Sequence, residues 1–283
     1  MNTELLRTIT TEEVDTYHRD GVLLLKNMFN KNWIKLLNKG LDINCESPTE
    51  RHRIWDKDDS GHTMFYDTLA WQGIREYKKF IFNSPAAQIC GKLMKSTTVN
   101  FFFDAVFVRS AGTKFETPWH QDEPYWSIEG YDACTLWMPL VPVKEKNCLS
   151  FVPGSHLFKS VFNQKNFGEI TGHPKDQVDF SKVADQEFPD INADPEHFGV
   201  VSWEMQPGDC IVFNGRTMHG GSGKLDDDCN LRVFTTKWLG DDAHIKFRNY
   251  GMDPDFSSLM IKKGLKSGDR PDTDMYPQIW PKS

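Results

Sequence analysis

Residues 117–126 read TPWHQDEPYW and place His120 and Asp122 two positions apart, between Trp119 and Trp126. In a β-strand, residues two positions apart point to the same face. The spacing therefore predicts a histidine and a carboxylate side by side on an otherwise apolar strand. The pair alone is weak evidence for a metal site, because a hydrogen-bonded histidine on a surface strand gives the same pattern.

A third residue of the same kind follows downstream. In QPGDCIVFNGRTMHGGSG, residues 206–223, His219 comes after a predicted strand and turn and precedes two glycines that allow a close approach of the backbone. Two histidines and one carboxylate occupy one face of an octahedral metal ion and leave three positions open, as in non-haem Fe(II) oxygenases. We therefore predict that His120, Asp122 and His219 are the metal ligands and the catalytic centre.

An iron with open positions must bind a co-substrate and O₂, and the sequence suggests how the co-substrate is held. If that molecule is 2-oxoglutarate, its distal carboxylate needs a cationic partner. Arg232, in NLRVFTTKW, follows His219 by thirteen positions on the next predicted strand. A guanidinium group can donate two parallel hydrogen bonds to a carboxylate. The sequence thus predicts Arg232 as the residue that binds 2-oxoglutarate.

The fold class follows from the pattern around these motifs. From residue 98 the chain consists of short β-branched or aromatic segments separated by turn residues, whereas helical spacing dominates before that point. These segments are VNFFFDAVFVR, ACTLWMPLV, CLSFVP, VVSWEM, DCIVFN and LRVFTTKWL. Helices followed by many short strands predict a mainly β protein, an antiparallel double-sheet barrel with flanking helices.

No repeat and no linker divides the chain, so we expect a single domain over residues 1–283. Residues 1–97 are expected to be mostly helical flank and loops, residues 98–240 the β core, and residues 241–283 a C-terminal tail. The long polar insertion at 157–200 is expected to be a lid or binding loop.

Two local features of the N-terminal flank carry expectations of their own. Thr10 and Glu13 have the spacing of a capping box, and Gly21 is expected to end the helix that they begin. Residues 46–75 are polar with embedded aromatics, and we expect an irregular loop there that lies over the site.

Composition excludes several classes of protein. The net charge is −7 and no long basic stripe occurs, which argues against a nucleic-acid partner. The longest apolar runs are too short to span a membrane. Six scattered cysteines without a Cys-x-x-Cys pair favour reduced thiols, and with no apolar signal core at the N-terminus they favour a cytoplasmic location. The sequence does not specify an oligomeric state.

Several of these motifs, in this order, resemble one protein family. WHQD, PGSH, the PGD segment that leads to HGGS, and the arginine that follows are similar to the phytanoyl-CoA dioxygenase family of Fe(II)/2-oxoglutarate oxygenases. The opening segment TTEEVDTYHRDGVLLLKN is also similar, so the resemblance covers most of the chain. It implies a double-stranded β-helix, also called a jelly-roll or cupin-like barrel.

The resemblance also implies roles for individual residues. It implies His120, Asp122 and His219 on iron and Arg232 on the oxoglutarate carboxylate. Two further positions match family positions near the co-substrate, Trp137 in CTLWMPL and Arg109 in FVRSAG. The family often has a serine two residues after the second histidine; here that position is Gly221, and the serine is the next residue, Ser222.

The implied activity is hydroxylation of an aliphatic C–H bond in a small molecule, coupled to the conversion of 2-oxoglutarate and O₂ to succinate and CO₂. Acyl-CoA thioesters, amino-acid derivatives and natural-product intermediates are the substrate classes of the family. Two alternatives remain open at this point. One is a binding module of the same fold without turnover, and the other is a cupin-type metalloenzyme that does not use oxoglutarate.

Overall fold

The computed structural model describes residues 1–56, 61, 63–114, 116–163, 171–172, 184, 186–221 and 225–281. Within these ranges the helices are α1 (Thr11–Asp20), α2 (Lys31–Glu46), α3 (Arg75–Asn83), α4 (Ala86–Met94) and α5 (Ser257–Lys262). The strands are β1 (Val22–Leu25), β2 (Arg53–Asp56), β3 (Thr63–Thr68), β4 (Val99–Arg109), β5 (Ile128–Glu129), β6 (Ala133–Pro139), β7 (Leu149–Phe151), β8 (Thr171–Gly172), β9 (Cys210–Asn214), β10 (His219–Gly221), β11 (Leu231–Leu239), β12 (His244–Ile245) and β13 (Gln278–Trp280).

One large sheet, with nine strands within the described ranges, forms the centre of the fold. Its strands lie in the order β1, β9, β6, β11, β4, β3, β2, β8, with β13 also paired to β4. Each of these pairings is antiparallel. The central strands β4, β6 and β11 are long and rich in aromatic and β-branched residues, the composition that suits a sheet buried on both faces.

A smaller sheet covers one face of the large one. It pairs β10 with β7, and an isolated bridge joins His120 to His219 beside it. Side chains from both sheets enclose an apolar interior that includes Trp137, Phe151 and Phe213. Two facing antiparallel sheets around one core are the jelly-roll arrangement. The predicted mainly β, double-stranded β-helix fold with flanking helices is therefore confirmed.

Helices α1 to α4 cover the other face of the large sheet. Phe80 of α3 makes an edge-to-face contact with Phe234 of β11, and Tyr77 contacts the same ring. Phe101 and Trp238 belong to the same core. Because side chains alternate along a strand, the even-numbered residues of β11 meet the helices and the odd-numbered residues face the interior.

The start of α1 has the predicted local structure. The Thr10 side chain accepts a hydrogen bond from the Glu13 backbone N–H, and the Glu13 carboxylate accepts one from the Thr10 backbone N–H. Gly21 follows the last helical residue with φ of 71°, the left-handed conformation that glycine adopts without steric cost. The predicted capping box and helix end are both confirmed.

The expectation of an irregular loop over residues 46–75 was wrong for the part of that segment that the structure describes, because β2 and β3 extend the large sheet there through antiparallel pairing with each other and with β4. In the C-terminal segment, β13 joins the same sheet by pairing with β4. Part of the insertion at 157–200, namely residues 164–170, 173–183 and 185, lies outside the described residues. In the part that is described, β8 pairs with β2, and Asn163 forms a bridge with Glu187.

No helix in the described part of the chain is both long enough and apolar enough to cross a membrane.

Candidate active site

The three predicted ligands meet at the edge of the smaller sheet. His120 and His219 exchange two backbone hydrogen bonds of 2.9 Å, and this bridge sets their side chains next to each other. Asp122 begins the short 3₁₀ turn Glu123–Tyr125. The ligand atoms of the three side chains all lie within 4.8 Å of one another. Residues 117–126, all of which the structure describes, do not form the expected continuous strand. A β-bridge at His120 and a 3₁₀ turn after Asp122 bring the ligands together instead.

Backbone carbonyl groups orient both imidazole rings. Nδ1 of His120 lies 2.7 Å from the Pro118 carbonyl oxygen, and Nδ1 of His219 lies 2.9 Å from that of Thr217. A ring nitrogen at this distance from a carbonyl donates its proton, so Nε2 keeps the lone pair. The Nε2 atoms face Asp122 Oδ1 at 3.5 Å and 3.8 Å. Both rings are therefore held in the tautomer that a metal ligand requires.

The protonation states also suit metal binding. Burial, followed by the neighbouring His120, lowers the pKa of His219 to about 3, so this ring is neutral at neutral pH. Burial alone would raise the pKa of Asp122, but His219 and His120 hold it below its usual range. The Thr135 hydroxyl donates a 3.2 Å hydrogen bond to Asp122 Oδ2. The cluster thus offers a neutral imidazole at His219 and a carboxylate at Asp122.

A buried ion-pair network supports the turn that carries Asp122. Glu123 is 4% exposed, and its carboxylate accepts a 2.9 Å hydrogen bond from the Arg248 guanidinium. The same guanidinium also donates to the backbone carbonyls of Trp126 and Ile128. Arg216 lies 3.7 Å from the other Glu123 oxygen. The residue next to Asp122 is therefore tied to the C-terminal part of the chain.

A cavity opens beside the cluster, between the two sheets. It encloses about 1200 Å³, its open mouth included. The wall contains all three predicted ligands, aromatic and aliphatic side chains, and a few charged groups. Its aromatic residues are Tyr66, Phe103, Phe107, Tyr125, Trp126, Trp137 and Phe213, and its other charged residues are Arg53, Arg109, Lys237 and Asp253.

Arg109 marks one end of this cavity. It is the last residue of β4, is paired in register with Leu231 of β11, and is 5% exposed. Burial lowers the pKa of Arg109 to about 10, so its guanidinium stays charged at neutral pH. Lys237 lies six residues further along β11, about 20 Å at the rise of an extended strand, opposite Thr135. The cavity therefore has a cation towards each end of β11.

The prediction for Arg232 is corrected by the structure. Arg232 does not line the cavity, because it is an even-numbered residue of β11 and points to the helical face. Its guanidinium donates to Asn38 Oδ1 at 2.9 Å and to Asp42 at 2.7 Å, both on α2. An arginine in this position connects α2 to the sheet and cannot reach a molecule bound next to His120, Asp122 and His219.

The positions that the resemblance placed near the co-substrate have different outcomes. Trp137, Arg109 and Gly221 line the cavity, whereas Ser222 lies outside the described residues. His156, the histidine of the PGSH motif, was not predicted as a ligand. It is separate from the three predicted ligands, and its Nε2 lies 3.2 Å from the His18 carbonyl oxygen.

The cavity residues that the sequence did not single out include Arg53, Thr135, Lys237 and Asp253. Arg53 and Asp253 form a two-bond ion pair of 2.8 and 2.9 Å across two hundred positions of sequence, and no local pattern signals such a pair. Thr135 has no distinguishing signal in the sequence, and its role becomes visible only through its hydrogen bond to Asp122 in the structure. Lys237 did carry a signal, since a lysine within the apolar segment LRVFTTKWL is unusual for a buried strand.

Comparison with solved structures shows the same fold in other proteins. The chain is similar to the non-haem α-ketoglutarate-dependent carbocyclase SnoK of nogalamycin biosynthesis, with a TM-score of 0.71 and 17% identity over 99% of this chain and 100% of that one. It is similar to the epimerase SnoN in complex with Fe³⁺, α-ketoglutarate and nogalamycin RO, with a TM-score of 0.64 and 17% identity over 95% and 97%. It also resembles EctD from S. alaskensis with 2-oxoglutarate and 5-hydroxyectoine, with a TM-score of 0.65 and 17% identity over 87% and 80%.

Comparison with curated sequences gives no significant match. The family model described as phytanoyl-CoA dioxygenase (PhyH), however, matches residues 17–227, well over half of the chain. The matched segment contains all three members of the metal-type cluster and Arg109. The chain is an iron- and 2-oxoglutarate-dependent oxygenase, and it belongs to the phytanoyl-CoA dioxygenase family.

Proposed function

We propose that His120, Asp122 and His219 bind Fe(II), that Arg109 binds the distal carboxylate of 2-oxoglutarate, and that the enzyme hydroxylates an aliphatic C–H bond of a small molecule. One observation carries this proposal. Two imidazole Nε2 atoms and one carboxylate converge within 4.8 Å in the wall of a cavity that also contains a buried arginine.

The donor set fits Fe(II). Neutral imidazoles and a single carboxylate are the ligands of the facial triad, and three such ligands leave room for a bidentate co-substrate and O₂. The carbonyl bonds to Nδ1 of each histidine supply the outer hydrogen bonds that fix ring orientation and increase ligand basicity. The Thr135 hydroxyl fixes one oxygen of Asp122 in the same way.

Of the two arginines named from the sequence, Arg109 fits the co-substrate better than Arg232. A buried, charged guanidinium in a cavity with largely apolar walls can bind a carboxylate through two charge-assisted hydrogen bonds. Its neighbours on the interior face are apolar, with Leu231 and Val233 on β11 and Phe107 on β4. Such walls suit the methylene groups between the two carboxylates of oxoglutarate.

When bound, iron with 2-oxoglutarate and O₂ supplies the oxidising chemistry, which converts oxoglutarate to succinate and CO₂ and hydroxylates the substrate. The protein's own residues supply position and environment. The two histidines and Asp122 hold the metal, and Arg109 orients the co-substrate. The aromatic wall formed by Phe103, Tyr125 and Trp126 excludes water from the reacting groups.

A small-molecule substrate is supported by the lining of the cavity. Its wall is largely apolar and aromatic with a few charged groups, as in pockets that bind small organic molecules. Acyl-CoA thioesters, amino-acid derivatives and natural-product intermediates remain the candidate classes. A cytoplasmic location remains a prediction from the sequence.

Succinate formation tests the proposal. The protein is reconstituted with Fe(II) without O₂, then exposed to O₂ with 2-oxoglutarate and no other substrate. We expect slow succinate formation that is lost in His120→Ala. The same variant of the turn histidine outside the cluster, His156→Ala, controls for a general effect of removing an imidazole. Formation of succinate that is equal in the wild type and His120→Ala contradicts the metal assignment, and loss in His156→Ala alone points to a different site.

A further inference from the structure

Lys237 is a cavity residue to which the proposed function gives no role. It is 6% exposed, and its ammonium donates one hydrogen bond, 2.7 Å long, to the Thr235 hydroxyl. The ammonium lies 4.8 Å from the centre of the Phe103 ring. Among the residues that the structure describes, no carboxylate oxygen lies within 4.0 Å of it. A buried ammonium group has three N–H donors, and leaving two of them without an acceptor destabilises the protein unless a bound ligand accepts them.

The acidic residues near Lys237 are engaged elsewhere. Three carboxylates influence it electrostatically, those of Asp122, Asp104 and Asp253. Asp122 is one of the three predicted metal ligands, and Asp253 accepts two hydrogen bonds from Arg53. Asp104 is an even-numbered residue of β4, opposite Thr236, and faces the helical side of the sheet. None of the three is a dedicated counter-ion for Lys237.

The sum of the charges in the site with iron and 2-oxoglutarate bound also leaves Lys237 without a counter-ion. This step rests on the proposed function. A divalent iron and Arg109 carry three positive charges, and Asp122 and 2-oxoglutarate carry three negative charges. Arg53 and Asp253 neutralise each other. With metal and co-substrate bound, the positive charge of Lys237 is left without a match inside a cavity with largely apolar walls.

We propose that the substrate is a carboxylic acid with an apolar body, and that Lys237 binds its carboxylate. The single unmatched charge fits a monoanionic carboxylate better than a dianionic phosphate. Phe103, Trp126 and Tyr66 offer surface for the apolar part of the molecule. Burial lowers the pKa of Lys237 to about 8, which leaves the ammonium mostly charged at neutral pH and able to pair with an anion.

Matched acids and amides test this assignment. The probes are straight-chain monocarboxylates of about four to ten carbons and 3-phenylpropionate, each paired with its primary amide, which has nearly the same shape and no charge. Binding is measured without O₂ to the Fe(II)- and oxoglutarate-loaded protein by the change in its visible absorption, and to the metal-free protein by thermal shift. We expect at least one acid to bind about tenfold more tightly than its amide. Lys237→Met should abolish this preference, Lys237→Arg should retain it, and the exposed-lysine control Lys144→Met should leave it unchanged.

Two results of the acid and amide comparison overturn the inference. One is a wild-type protein that prefers no acid over its amide, and the other is a preference that survives in Lys237→Met. Oxoglutarate binding separates this inference from the proposed function. Lys237→Met should keep the oxoglutarate affinity within about threefold, and a large loss there means that Lys237 serves the co-substrate instead. A wild type that fails to bind oxoglutarate contradicts the proposed function, whereas the thermal-shift comparison of acid and amide still tests Lys237.

Discussion

Arg109 and Arg232 lie on paired strands one register position apart, and their side chains point to opposite faces of the sheet. Arg109 is opposite Leu231 and lines the cavity, whereas Arg232 is opposite Val108 and binds Asn38 and Asp42 of α2. Strand alternation alone therefore directs two arginines of the same charge to opposite faces of the sheet, one to the cavity and one to α2.

Replacement of each arginine separates these functions. Arg109→Met should weaken 2-oxoglutarate binding by about 100-fold, because a buried carboxylate would lose its cationic partner. Arg232→Met should change the affinity by less than about threefold. Isothermal titration of oxoglutarate into the metal-loaded protein gives both values. The reverse order of effects would restore Arg232 as the co-substrate residue.

Thr135 should influence metal affinity without touching the metal. Thr135→Val keeps the shape of the side chain and removes the hydrogen bond to Asp122. We expect the dissociation constant for Fe(II) to rise about tenfold, the usual effect of losing an outer hydrogen bond to a ligand. Thr236→Val is a matched control, since Thr236 is equally buried but faces the helices. Equal effects of the two substitutions would mean that packing, and not the hydrogen bond, is responsible.

The Glu123–Arg248 pair should be important for stability. Arg248→Met leaves the Glu123 carboxylate buried with the more distant Arg216 as its remaining ion-pair partner among the described residues. We expect a loss of about 3 kcal/mol in the free energy of unfolding, together with weaker metal binding because the turn at Asp122 loosens. Urea unfolding measures the first effect. The exposed pair of Lys263 and Asp274 is the control, and Lys263→Met should cost less than about 1 kcal/mol.

Asp104 should make stability depend on pH. Burial raises its pKa to about 7, and the nearby backbone N–H groups of Trp71 and Asp104 offset only part of that rise. Above pH 4 the unfolded chain releases this proton while the folded chain keeps it, so the free energy of unfolding falls as pH rises from about 4 to 7. Above pH 7 the buried carboxylate is ionised, and this lowers the free energy of unfolding by roughly 4 kcal/mol relative to its value below pH 4.

Urea unfolding of Asp104→Asn at several pH values tests this sign. The stability of the variant relative to the wild type should increase between pH 4 and pH 7 and then level off. The exposed-aspartate control Asp15→Asn should show no such trend. A difference between Asp104→Asn and the wild type that stays constant with pH would mean that Asp104 is ionised in the folded protein throughout this range.

The sequence predicted those parts of the site that depend on local spacing. His120 and Asp122 are two positions apart, and His219 follows a clear strand-and-turn unit, so short patterns were enough to identify the cluster. The strand-rich second half and the α1 capping box were predictable for the same reason. Strands β2 and β3 were missed because their polar residues resemble loop composition, and their pairing with β4 depends on distant parts of the chain.

Arg232 could not be assigned correctly from sequence, and the reason is physical. Strand β11 is buried on both faces, with Phe234 and Trp238 against the helices and Leu231 and Val233 towards the interior. A strand buried on both sides shows no alternation of polar and apolar residues, so its sequence does not reveal which side chains face the cavity. Pairs such as Arg53 and Asp253 join distant segments and become visible only in the folded chain.

The most direct test of the proposed iron and co-substrate site is anaerobic titration of Fe(II) and 2-oxoglutarate into the protein, followed by visible absorption spectroscopy. We expect a metal-to-ligand absorption band that saturates at one equivalent of each. The band should be lost in His219→Ala and should appear in Arg109→Met only at about 100-fold higher oxoglutarate concentration. No band in the wild-type protein, or an undiminished band in His219→Ala, would contradict the proposed site.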